Sequence, residues 1–343
     1  MSFENVKKVI FFILKLAVAG GIVWYLLLRD TAMLVNSLRN FDVRYLLCAA
    51  FCYGCHIVVC SWRWRRLAGV LDIPLGRVES FNLTMQGIFF SLVIPGGAVG
   101  GDVVKMAVIS RRTPDGRRME GAFTVLMDRI IGMIALFLLV LALIPFSVDL
   151  LMECSIPQIE LTRQMKKLFI LAVVLLSLAG LAASCVIFLH RLIHKVPLFD
   201  RLLNFADRLT HGMVKRMEQA ADVYSNRPWE LTMLCAASIA GVHLLTVVPM
   251  LFLLSGLGVQ YDLFTVVTAV TLGNVAGLVP LFPSGVGGRD LVTVTILVAG
   301  GVAAGDAKTA QLLCTALIII FNLCGGLFFI FDPGRKTAAV SQE

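Results

Sequence analysis

Pro283-Ser284-Gly285-Val286-Gly287-Gly288-Arg289-Asp290 interrupts hydrocarbon-like sequence, with apolar runs at 266–281 and 291–302 on either side. An earlier stretch, Pro95-Gly96-Gly97-Ala98-Val99-Gly100-Gly101-Asp102, repeats it, with seven residues from proline to aspartate in each. Glycine permits tight turns and close approach of a ligand to the backbone. Non-helical backbone at membrane depth survives only where protein or water covers it, so both breaks are expected to line a cavity. Two such interruptions at corresponding places in two halves of a hydrophobic chain point to a binding site near the bilayer midplane.

The rest of the chain supplies the membrane. Of its 343 residues, 58% are hydrophobic and 15% charged, where a soluble domain carries about a quarter charged residues. The net charge of +8 sits in short basic clusters beside apolar runs, which encodes topology rather than nucleic-acid binding. Residues 9–28 read as a retained first span, because no small-residue cleavage site follows them. Most of the nine cysteines fall in apolar runs and behave there as small hydrophobes. Cys52-Tyr53-Gly54-Cys55-His56 spells a haem-attachment pattern but lies inside an apolar run, so no haem is expected.

Positive-inside bias sets the path of the chain. Lys7 and Lys8 put the N-terminus in the cytoplasm, and residues 45–61 return to the inner boundary at Trp62-Arg63-Trp64-Arg65-Arg66. Residues 81–94 are too few to cross comfortably. The basic residues Arg111, Arg112, Arg117 and Arg118 follow, so 81–109 reads as a hairpin entering and leaving on the cytoplasmic side. Residues 122–146, 168–189, 231–254 and 309–331 read as further full spans, and 266–302 as a second hairpin from the outside. The basic loop between the halves holds Leu202, Leu209, Met213 and Met217 at helical spacing, an amphipathic cytoplasmic helix over about 197–224.

The expected fold is therefore an all-α integral membrane protein in a single domain over 1–343. It has about six full transmembrane helices plus two re-entrant helical hairpins. Residues 1–150 form a first half-repeat and 160–335 a second. Three crossings per half is an odd number, so the halves are inserted with opposite topology, an arrangement that lets one site face two compartments in turn.

Ionisable groups inside hydrocarbon cost about 2.5–3.5 kcal/mol each on insertion scales and are functional candidates by default. They are Asp102, Lys105, Asp128, Arg129, Arg289 and Asp290, with Arg63 at the boundary. Asp102 and Lys105 are spaced to pair on one helical face, whereas Asp128 and Arg129 must find separate partners, expected on the hairpins. Arg289 suits a phosphate because its fork binds two oxygens. Gly96, Gly97, Gly100, Gly101, Gly285, Gly287 and Gly288 would expose backbone N–H groups at helix starts, favourable for an anion. Asn82, Gln86, Asn274 and Asn322 either line the cavity or bridge helices. The competing reading makes the charges internal ion pairs that only hold the hairpins in place. His56 and His243 read as core residues. No Walker loop, His-Glu-x-x-His or zinc spacing occurs, so no cofactor or metal is expected, and no soluble segment is long enough for a catalytic domain.

Taken together, Ser61-Trp62-Arg63-Trp64, the Pro95 to Lys105 stretch, Asp128-Arg129-Ile130-Ile131-Gly132 and the Pro283 to Asp290 stretch resemble the lysylphosphatidylglycerol synthase transmembrane-domain family, of flippase-like, UPF0104-type proteins. The resemblance implies a membrane domain that moves lipids between leaflets. The soluble aminoacyl-transferase of two-domain members has no counterpart here, so no enzymatic activity is implied. Relatives often read Pro-Gly-Gly-x-Gly-x-Arg-Glu at the second break; here Ser284 replaces a glycine and Asp290 stands for the glutamate.

The expected function is translocation of an anionic phospholipid or polyprenyl-phosphate-linked lipid in a bacterial inner membrane, with both termini cytoplasmic. The alternatives are an intramembrane transferase or accessory partner of a glycosyltransferase handling lipid-linked sugars, and a small-solute secondary transporter. Expected partners are membrane lipids with an anionic headgroup, and either a second copy of the chain or a separate lipid-modifying enzyme, with no nucleic acid.

Overall fold

The computed structural model describes residues 38–39, 41–94, 98–114, 116–155, 162–186, 188, 213–278 and 287–331. The expected first span at 9–28, the glycines Gly96, Gly97 and Gly285, and most of the 197–224 segment lie outside them. The described residues form helices and connecting turns: α1 (Val43–Val70), α2 (Arg77–Val93), α3 (Ala98–Arg112), α4 (Arg118–Glu153), α5 (Arg163–Val186) and α6 (Met213–Ser225). There follow α7 (Pro228–Ser238), a π-helical turn (Ile239–Leu244), α8 (Val247–Gly256), α9 (Leu263–Ala276), α10 (Gly288–Ala299) and α11 (Ala304–Ile330).

Five of these stretches are long and apolar enough to cross a membrane: α1, α4, α5, α7 through α8, and α11. They match the five expected spans that fall within the described residues. The side chains α5 turns outward are apolar, Leu168, Phe169, Leu171, Leu175 and Leu176 among them, as suits a helix whose solvent is lipid. Its inner face presses Gly180 against the ring of Phe137, where a Cβ would overlap the ring. At α4's C-terminal end, Lys166 Nζ donates to Met152 O at 2.8 Å, satisfying a carbonyl of the last turn.

The two glycine-rich breaks each separate a pair of short helices. α2 has 17 residues, α3 has 15, α9 has 14 and α10 has 12. At 1.5 Å per residue none reaches the roughly 30 Å of a hydrocarbon core. Each pair is antiparallel. In the first, Glu79 near the start of α2 pairs with Arg112 at the end of α3, at 3.1 Å. Further along, the backbone of Gly87 touches Gly101 so closely that a Cβ on Gly101 would overlap the Gly87 carbonyl. In the second, Thr293 Oγ1 donates to Arg289 O at 2.9 Å and leans on Ala269 O, while Gly300 packs on Thr265. Small residues let helix backbones approach in this way.

The pairs are seated against different partners. α2 packs along α11, where Gly325 and Gly326 admit Met85 and Phe89, and α9 packs along α4, joined by Ser147 Oγ and Thr268 Oγ1 at 3.1 Å. α1 lies along α8 between them. Apolar packing divides into two clusters. One joins Leu136, Val140 and Leu151 of α4 with Met250, Leu253, Val266 and Ile296. The other joins Trp64 and Leu67 of α1 with Ile109, Phe123, Met127 and Tyr224.

The described part of the expected amphipathic segment, α6, packs on the protein itself. Ala220, Ala221 and Tyr224 are buried, and Tyr224 Oη donates to Leu67 O at 2.8 Å. A tyrosine that can both fill a core and satisfy a carbonyl at a helix end suits this position. Around it gather the basic ends of several helices: Arg117 donates to Leu71 O, and Arg216 to Gly116 O.

Candidate functional site

The boundary motif at 62–66 splits by helical period. Trp62 and Arg66 face outward, while Arg63 is 6% exposed and Trp64 fully buried. Arg63 and Trp64 therefore depart from the expected interfacial role. Arg63 turns inward and donates from Nε to Asp128 Oδ1 at 2.8 Å and from Nη1 to Ser238 Oγ at 3.0 Å. Gly132 makes room for the guanidinium, which lies within 3.4 Å of where a Cβ would sit. Trp64 donates from Nε1 to Thr124 Oγ1 at 3.0 Å and offers its ring face to Lys105, whose Nζ lies 3.8 Å from the ring centre.

Successive residues of a helix point about 100° apart, so Asp128 and Arg129 address different neighbours. Asp128 holds Arg63 and, at 3.8 Å, Lys105. Arg129 donates from Nε to Asp102 Oδ2 at 2.7 Å. Asp102 and Lys105, spaced to pair with each other, each reach across to α4 instead. Both residues of the 128–129 pair thus meet an opposite charge on the first helical pair.

The second cluster is built on the start of α10. Gly287 has φ of 96°, a conformation that favours glycine. Its N–H donates to Asp290 Oδ2 at 3.2 Å, a capping interaction at the third helical position. Asp290 Oδ1 accepts from Arg289 Nη2 at 2.9 Å, from Gln311 Nε2 at 2.7 Å and from Thr315 Oγ1 at 3.1 Å. Arg289 Nη2 also donates to Thr315 Oγ1 at 2.8 Å.

Both clusters open on common space. A cavity of about 620 Å³ is walled by Asp102 and Arg129 on one side and by Arg289, Thr293 and Gln311 on the other, with Asn274, Asn322, His56 and His243 between them. A recess of about 290 Å³ continues from it past Arg63, Lys105 and Asp128, sharing His56, Ser91, Asp102 and Arg129 as walls. The π-helical turn places Val242 and His243 on this wall, with His243 Nε2 2.9 Å from Gly132 O. π turns cluster at functional sites because the extra residue re-aims neighbouring side chains.

Among the other expected residues, Asn274 contacts Thr246 Oγ1 at 3.4 Å on the cavity wall, Gln86 bridges to Phe328 O, and Asn82 lines neither space. Gly100 and Gly101 are buried, while Gly287 is exposed and Gly288 half-buried. Gln311, Thr315 and Ser238 were missed, and the two histidines line the cavity instead of the core. Gln311, Thr315 and Asn322 do recur on one face of α11, a polar stripe at helical spacing. Among the described residues no group of three or more His, Cys, Asp or Glu could hold a metal ion.

A bundle of membrane-length helices enclosing a charged, glycine-edged cavity defines a multi-pass membrane protein of the polar-cavity class. Residues 12–326 match the family described as the lysylphosphatidylglycerol synthase TM region, and the chain belongs to it. It is 20% identical over 333 residues to the UPF0104 membrane protein PH1989 of Pyrococcus horikoshii, covering 94% of this chain and 97% of that one. No solved structure is matched.

Proposed function

We propose that the protein is a lipid translocase: an anionic headgroup enters the polar cavity while its acyl tails remain in lipid. The observation that carries this is the cavity of about 620 Å³ whose walls include charged residues from both short helical pairs. Ionisable side chains retained at membrane depth are expected around a substrate path, and the family's membrane region gives the reading its lipid context. The pairs act as two re-entrant hairpins, dipping from opposite leaflets within an inverted repeat. The matching order of span, short pair and span in α1–α4 and α7–α11 supports that topology. Basic residues gathered at the α1, α3 and α6 ends orient that face to the cytoplasm of a bacterial inner membrane.

Reconstitution into vesicles containing a fluorescent anionic lipid tests this, with dithionite quenching to report inward and outward label. Faster equilibration with the wild type, slowed by Arg289→Ala and by Asp102→Asn, is the expected result. No acceleration by folded wild type would remove the function. Unchanged rates in both folded variants would remove the site.

A further inference from the structure

We infer that movement through this cavity is driven by protons: His56 takes up one proton together with each anionic headgroup and releases it on the opposite face. The inference rests on the reading that the cavity admits an anionic headgroup, and adds the source of its driving force.

His56 stands where the two hollows meet. It walls both the larger cavity and the recess behind it, half-buried near the middle of α1. The ring of Tyr53, one turn earlier, flanks it at 5.6 Å between centres. Its hydrogen bonding is incomplete. Nδ1 is buried with no hydrogen-bond partner, and Nε2 has only the Cys60 thiol, at 3.7 Å. The Val242 backbone lies near the ring without closing a hydrogen bond to Nδ1. A thiol is a weak donor and a weak acceptor. Whichever nitrogen carries the hydrogen, the neutral ring therefore keeps a lone pair that no strong donor occupies.

A buried polar atom left unpaired calls for a reason. Imidazole is the side chain whose ordinary titration falls near neutral pH, and histidines within membranes mark proton relays. His243 is differently placed. Its Nε2 lies 2.9 Å from Gly132 O, and a carbonyl only accepts, so that nitrogen carries its N–H and ties the ring to α4.

The charges around His56 decide what travels with the proton. Its own helix brings Tyr53, Cys60 and Arg63, α3 brings Asp102 and Lys105, and α4 brings Asp128 and Arg129. The π-helical turn adds His243, α10 adds Arg289 and α11 adds Cys314. Among the described residues, α2, α8 and α9 contribute no ionisable side chain to these walls. The carboxylates already lie against cations, Asp128 against Arg63 and Lys105 and Asp102 against Arg129. A proton on His56 adds a positive charge that these pairs do not neutralise. An anion in the same cavity does, and Coulomb attraction is strong where water is scarce. By linkage each ligand then favours the other equally. Proton and headgroup load as a neutral pair, the less costly form in which to cross hydrocarbon. No other bond changes: the imidazole lone pair forms an N–H bond with a proton from water on one side, and that bond breaks to water on the other.

The test uses the full chain in potassium-loaded vesicles, with valinomycin holding the membrane potential at zero. The vesicles carry a trace of fluorescent phosphatidylglycerol, and a pH step is applied across the membrane. One proton per lipid should gather the label in the leaflet facing the alkaline side, by up to about tenfold per pH unit at equilibrium. Protein-free vesicles supply the baseline. His56→Gln keeps a polar side chain without a titrating nitrogen, and its leaflet ratio should stay near one at whatever rate it equilibrates. Wild type that equilibrates the label evenly under the pH step overturns the coupling and leaves the translocase reading standing. Label gathering on the acidic side overturns it too, since the proton would then run against the lipid. Wild type that moves no lipid removes the translocase reading, and this inference with it. A persistent ratio in folded His56→Gln overturns the assignment to His56. Should that variant misfold, His56→Asn is read in its place, and the wild-type ratio alone still decides the coupling.

Discussion

Arg63 and Asp128, sixty-five positions apart in the chain, are joined by a 2.8 Å hydrogen bond between side chains that are 7% and 14% exposed. The bond ties α1 to α4 at the recess. Removing one partner of a buried ion pair leaves the other charge uncompensated, at a cost of about 3–5 kcal/mol. Arg63→Met should therefore destabilise the purified protein strongly in denaturant titrations. Arg63→Lys should recover only part of the loss, because an ammonium cannot reach Asp128 and Ser238 with the same planar fork.

Gly101 is expected to tolerate no side chain. A Cβ there would overlap the Gly87 carbonyl and press on Ser91, forcing the arms of the first pair apart. Overpacking of this kind costs about 1–3 kcal/mol. Gly101→Ala should lower the unfolding midpoint, whereas Gly69→Ala, where nothing lies within 4 Å, should be neutral or slightly stabilising, since alanine favours a helix more than glycine does.

Tyr224→Phe keeps the ring that fills the space between α1, α4 and α6 but deletes the donor to Leu67 O. The loss of one buried hydrogen bond is worth about 0.5–1.5 kcal/mol. Limited proteolysis should show earlier cutting near α6 in the variant.

Asp262 caps α9 by accepting from Thr265 N at 2.8 Å. That backbone hydrogen bond, with the Thr265 hydroxyl after it, holds the carboxyl below its ordinary value. A depressed folded-state value means the stabilisation is complete above the usual carboxylate range and fades as pH falls through the folded value. Asp262→Ala should cost about 1 kcal/mol at neutral pH. The gap between it and wild type should narrow on acidification below about pH 4, while the gap between Asp262→Asn and Asp262→Ala should stay constant, since neither side chain titrates.

Apolar runs and their charge flanks predict where the five described spans lie, because hydropathy and length act locally. The twin glycine breaks were equally legible, since proline and glycine punctuate any helix. Which charges meet was not. Asp102 and Lys105 have the spacing of a helical pair, yet each finds a better-placed partner on α4. Trp64 reads as an interfacial anchor from its basic neighbours, but its register on α1 turns it inward. Gln311 and Thr315 look like ordinary polar residues in a span, and only the packing of α10 on α11 brings them to Asp290. Each of these depends on helix rotation and tertiary proximity, which adjacency in sequence does not encode.

α4 has 36 residues, about 54 Å at helical rise, and it is gripped at two heights. Arg129 fastens it to α3; Ser147, about 27 Å further along, fastens it to α9. On the translocase reading, a rod clamped to both pairs could not follow both if they separated. The clamp at Ser147, a hydroxyl contact amid apolar packing, would yield before the charged one. α4 would then travel with the first helical pair, with the shear plane between Ser147 and Thr268.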